Sequence, residues 1–179
     1  MAPVGVLLGL TALAAAGRMV FLWAPNVAPT FFIAFVAGVA YGARAGAFVG
    51  GFSMLVTDLV LSALHPVLVV NTSAMAAVGA AGGLLGRAVD FGQARDLPRG
   101  YAAALAGLVG VLVIVGFSLL SDAVSYALFY RSGAEVFRAL VLAGLAFNAL
   151  PAVVNGVLFA TATYPVLRAL RKAGLAAAR

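Results

Sequence analysis

Four polar side chains set within apolar runs carry most of the chemistry this sequence offers: Arg18, Asp58, Asn71 and Asn148. A carboxylate inside a run as apolar as 45–64 is expensive unless it is paired, so Asp58 marks a functional position by default. Arg18 has three readings. It can pair with Asp58, which eases the desolvation of both charges. It can snorkel to lipid headgroups, or it can meet an anionic ligand. Asn26 and His65 sit in short breaks between apolar runs, and His65 also reads as a solvated loop residue. Tyr126 and Tyr130 are spaced to share one helical face. Asn148 and Asn155 lie two turns apart and read either as interhelical hydrogen-bond glue or as ligand contacts. All these groups bind by hydrogen bonds and charge; none makes a bond-breaking set. With no cysteine and one histidine, the chain has no thiolate nucleophile and no multi-histidine metal site. It carries no HExxH motif, no Ser/His/Asp set at a convincing spacing and no phosphate-cradling glycine loop. The sequence therefore points away from an enzyme, from a metal centre, from any resident cofactor and from ATP hydrolysis by this chain.

The elements that must position these groups are membrane spans. The 179 residues are 65% hydrophobic and 9% charged, against roughly a quarter charged in soluble domains. A crossing helix needs about 20 mainly apolar residues. Six runs are read as spans, at about 4–23, 30–41, 45–64, 66–86, 101–120 and 139–164. The expected fold is one all-α integral membrane domain of six transmembrane helices. An outer lid-like or interfacial segment is expected at 121–138, and a basic cytoplasmic tail at 165–179. The net charge of +6 comes from residues at span ends, with no basic helix or aromatic ladder for nucleic acid. Arg44, Arg87, Arg95, Arg99, Arg168, Arg171, Lys172 and Arg179 fall on one side if both termini are cytoplasmic. That N-in, C-in topology obeys the bias of Lys and Arg toward inner loops.

In this frame Arg18, Asp58, Asn71, Ser118, Ser121, Asp122 and Asn148 all fall toward the outer side, and the inner halves are mostly Ala, Gly, Val and Leu. Polarity concentrated at one end suits a pocket open to the exterior. Small residues recur at helix-contact spacing: Gly5, Gly9, Ala12 and Ala16 on the first helix, Gly46 and Gly50 on the third, Gly79 and Gly83 on the fourth. Such faces allow close approach, either within the bundle or to a partner. Gly38, Gly42, Gly46 and Gly50 are not expected to form one stripe, because Arg44 marks a turn among them.

The arrangement Arg18…Pro25-Asn26-Val27-Ala28-Pro29, then Gly38…Gly42-Ala43-Arg44-Ala45-Gly46…Gly50…Asp58, resembles the substrate-binding S components of energy-coupling factor (ECF) vitamin transporters. It is most similar to the cobalamin-type branch, over residues 18–87. The resemblance implies capture of a vitamin-like micronutrient from outside, in the plasma membrane of a prokaryote. It implies partners as well: a transmembrane coupling subunit, met by Gly5, Gly9, Ala12 and Ala16, and two ATPase subunits. Where that branch carries an aromatic, Gln-containing stretch, this chain has Leu64-His65-Pro66-Val67-Leu68, which implies a smaller substrate. The glycine-rich hairpin ending in an Asp-containing span, with Tyr164-Pro165 near the C-terminus, is also similar to the rod-shape-determining membrane proteins. That second resemblance implies a scaffold with no ligand. The expected binding residues are Arg18, Asn26, Asp58, His65, Asn71, Tyr126, Tyr130 and Asn148.

Overall fold

A computed structural model describes residues 3–24, 27, 29–62, 67–88, 99–130 and 133–175. Asn26 and His65 lie outside the described residues, as do Arg95, Arg131 and Arg179. Backbone polar groups in lipid must be satisfied within the segment, and the described residues hold helices and no strand. The helices are α1 (Val4–Val20), α2 (Pro29–Tyr41), α3 (Ala43–Ser62), α4 (Val67–Ala88), α5 (Arg99–Ser125) and α6 (Ala134–Lys172), with a π-helical turn, Tyr126–Tyr130, prolonging α5.

Among the described residues four helices are long and apolar enough to cross a membrane: Ala43–Leu61, Leu68–Arg87, Ala103–Tyr130 and Ala134–Lys172. This gives the chain the character of a multi-pass membrane protein. The first two of the six expected spans are shorter, at 17 and 13 residues. At 1.5 Å per residue α2 is about 20 Å long, against a hydrocarbon core of about 30 Å. Its sequence is apolar all round because it is buried all round. Residues 30–32 and 34–39 are all buried, and α2 touches each of the other five helices. Phe31 meets Phe117 of α5 edge-on at 5.0 Å, and Phe32 and Phe35 meet Phe159 of α6 at 5.3 and 5.2 Å. Thr30 Oγ1 donates to the Ala14 carbonyl of α1 at 2.8 Å, which ties α2 to α1.

Glycines set how closely α2, α3 and α4 approach. Gly42, with φ 97°, makes the turn between α2 and α3, a conformation open to glycine at little cost. The turn brings Gly38 and Gly46 onto the same Gly79 carbonyl. They form no single helical stripe, as expected, yet they converge in space from two helices.

Residues 121–130 and 134–138, within the segment expected as lid-like or interfacial, are helical. They are carried by the end of α5, the π turn and the start of α6. The expected tail also begins inside a helix, because α6 runs through Pro151 and Pro165 to Lys172. At 39 residues α6 is about 58 Å long, well beyond the hydrocarbon thickness.

Candidate binding site

The sequence alternates direction through the bundle, so the C-terminal ends of α1, α3 and α5 meet the N-terminal ends of α4 and α6. Asp58 of α3 faces Asn71 of α4, and Asp122 of α5 faces Gly144 of α6. At this end lies a cavity of about 530 Å³ lined from five helices, with Arg18, Asn71, Ser118, Ser121, Asp122 and Asn148 as its polar walls. Met54, Phe117, Leu140 and Phe147 supply apolar surface. The opposite end carries Arg44, Arg87, Arg168, Arg171 and Lys172.

One wall is built on a charge pair. Arg18 Nη1 sits 2.5 Å from Asp58 Oδ1 and also donates to Thr57 Oγ1. Asp58, 3% exposed, takes a second donor on its other oxygen from Asn71 Nδ2 at 3.1 Å. Thr57 lies within reach of the Ser53 and Met54 carbonyls, both at 3.0 Å, which fixes its hydroxyl against α3. A guanidinium and an amide thus meet one buried carboxylate, the arrangement a low-dielectric site requires. Of the readings open for Arg18, pairing with Asp58 is the one observed.

The facing wall joins α5 to α6. Asn148 Nδ2 donates to Ser118 Oγ at 3.0 Å and to the Gly144 carbonyl at 2.8 Å. Ser118 is hydrogen-bonded to Asp122. Gly144 is what lets Asp122 lie there: an added Cβ would overlap Asp122 Oδ2 and come within 3.1 Å of Ser118 Oγ. One turn further on, Pro151 has no N–H to offer the Phe147 carbonyl, so α6 lacks one rung beside the cavity.

Four of the expected binding residues are therefore brought together: Arg18, Asn71 and Asn148 line the cavity, and Asp58 stands behind the first two. Tyr126 and Tyr130 do not line it. They stand on the π turn past the end of α5, beyond the α5 residues that line the cavity. Tyr126 instead donates to the Gly133 carbonyl at 3.2 Å and packs on Phe137, and Tyr130 is exposed. Asn155 is buried deeper in the α5–α6 seam and donates to the Pro151 carbonyl at 2.9 Å. Ser118, Ser121, Asp122 and Gly144 were absent from the expected set. A serine and an aspartate near a span end read as a boundary, and the signal that raises them is their common depth with Asn148.

A second, apolar cavity of about 470 Å³ lies between α4 and α5 and shares Phe117 with the polar one. On α1 the small-residue face is open: Gly5, Gly9, Ala12 and Ala16 are all exposed. No protein-family model matches the chain, nor does any curated protein or solved structure.

Proposed function

We propose that the chain is a membrane-embedded substrate-binding component on the plan of an ECF S component, which captures a small vitamin-like micronutrient. The observation that carries this reading is the polar cavity at one end of an otherwise apolar bundle. The basic residues at the other end support an N-in, C-in orientation in a prokaryotic plasma membrane, with the cavity opening outward. Arg18, Asn71, Asp122 and Asn148 would fix the orientation of a bound solute, and Met54, Phe117 and Phe147 would cover its apolar parts. The exposed small-residue face of α1 suits close contact with a membrane coupling subunit, itself driven by two ATPases.

Native mass spectrometry of the purified protein with a panel of water-soluble vitamins and precursors tests the reading directly. A saturable adduct is expected with one chemical class. Asn71→Ala and Asn148→Ala should each weaken that adduct about three- to tenfold, the range for loss of a single hydrogen bond. Unchanged affinity in both variants would remove the ligand from this cavity.

For the docking face, Ala12→Trp should abolish uptake in cells that hold the ATPase module while leaving binding by the purified protein within about twofold. Parallel loss of binding and uptake would assign the face to packing within the bundle. A scaffold of the rod-shape type would use the same exposed stripe, but it leaves the polar cavity without a role. Folded protein that takes up no compound would favour the scaffold.

A further inference from the structure

We propose that the compound held in the polar cavity carries a cationic nitrogen with N–H donors, and that Asp122 is its anchor. This deepens the binding-component reading and rests on it. Asp122 Oδ2 and Ser121 Oγ are both buried and both without a hydrogen-bond partner, and both residues line the cavity. Buried polar atoms in folded proteins are satisfied in the great majority of cases, so an orphan at a cavity wall is a place where a ligand completes the set. The missing partner is a donor, since a carboxylate oxygen only accepts.

The charge count points the same way. The charged residues that line the cavity are Arg18 and Asp122. Arg18 is neutralised within the fold by Asp58 at 2.5 Å. Asn71 turns its amide N–H on Asp58, and Asn148 turns its own on Ser118 and the Gly144 carbonyl. The amide donors of Asn71 and Asn148 are thus directed at protein acceptors, and one negative charge is left over among the described lining residues. A cationic nitrogen meets that charge and supplies the donors that Asp122 Oδ2 and Ser121 Oγ lack. A charge-assisted bond of this kind is about twice as strong as a neutral one. The missing side chain of Gly144 leaves room for the carboxylate against α6, and its hydrogen bond with Ser118 sets the anchor before anything binds.

The test uses the full-length chain purified in detergent, as wild type, Asp122→Asn and Ser121→Ala. Each is titrated by native mass spectrometry with water-soluble vitamins and precursors sorted into cationic-nitrogen, neutral and anionic groups of similar size. Saturable adducts are expected from the cationic group alone. Asp122→Asn should weaken them at least about tenfold, and Ser121→Ala about threefold. Thermal unfolding within a few degrees of wild type checks that the asparagine variant is folded. An adduct with an anionic or neutral compound instead overturns the proposal and leaves the cavity as a binding site. So does a cationic adduct that Asp122→Asn holds within twofold. No adduct from any group, with the protein folded, overturns the binding-component reading and this proposal with it.

Discussion

Gly79→Ala is expected to destroy the packing of the bundle, costing roughly 3 kcal/mol or more, the upper end for overpacking and beyond. The Gly79 Cα lies against the Gly46 backbone: an added Cβ would overlap the Gly46 carbonyl and stand 2.9 Å from Ala47 N. Backbone cannot rotate away as a flexible side chain does, so α3 and α4 must separate. The same displacement would pull on α2, because Gly38 also packs on Gly79 and its own Cβ would stand 2.7 Å from Gly83 N. Gly46→Ala meets the Gly79 carbonyl from the other side. It should cost a similar amount, and the double variant should cost less than the sum, since either change opens the same seam. Gly9→Ala is the control, with nothing within 4 Å of the added carbon and an effect within about 0.5 kcal/mol. Thermal unfolding in detergent, with size exclusion to detect aggregation, reads all four. A Gly79→Ala protein as stable as the Gly9→Ala control would show that α3 and α4 are not packed through these glycines.

How far the sequence reaches depends on which physical rule each residue obeys. The apolar runs locate the six described α-helices, since in lipid a backbone must satisfy its polar groups within the helix or in a closed barrel. Arg18 and Asp58 could be matched across 40 positions because an unpaired charge at that depth is expensive. Asn71 and Asn148 follow from the same depth argument. A short apolar run like that of α2 does not reveal its place in the bundle; its burial and its contact with five neighbouring helices put it at the centre. The span read over 139–164 contains Pro151 and stops before Pro165, yet α6 runs through both, as lipid-embedded helices do when neighbours make good the lost bonds. The spacing of Tyr126 and Tyr130 speaks to a shared face and not to depth, and both stand on the π turn past the end of α5. The convergence of Gly38 and Gly46 on one carbonyl depends on the path of the Gly42 turn, and no periodicity encodes that.

Breaking the Arg18–Asp58 pair one partner at a time is expected to produce the other large effect. Arg18→Met leaves the 3% exposed Asp58 carboxylate with the Asn71 amide and no counter-charge. Removing one partner of a buried pair costs about 3–5 kcal/mol, most of it the penalty of the stranded charge. Asp58→Asn strands the guanidinium instead. Arg18 is less deeply buried, with 21% of its side chain exposed against 5% for Asp58, so it can draw on solvent in the cavity and the loss should be smaller. The double variant, Arg18→Met with Asp58→Asn, removes both charges and should be more stable than Arg18→Met alone. That ordering is the signature of a stranded charge in the single variant, relieved when its partner is also removed. The cycle, read by thermal unfolding, should give a coupling of about 2–3 kcal/mol, within the range for charged neighbours in contact. Additive single effects would mean that Arg18 and Asp58 act separately, with Arg18 turned toward headgroups. Ligand binding adds a second readout. If the pair serves to build the cavity wall and Asp122 holds the cation, the double variant should keep the preference for cationic compounds even where affinity falls. A switch of preference toward anions in Asp58→Asn alone would mean that the Arg18 charge becomes available to ligand only when its internal partner is removed. That switch would identify Asp58 as the residue that sets the sign of what the cavity accepts.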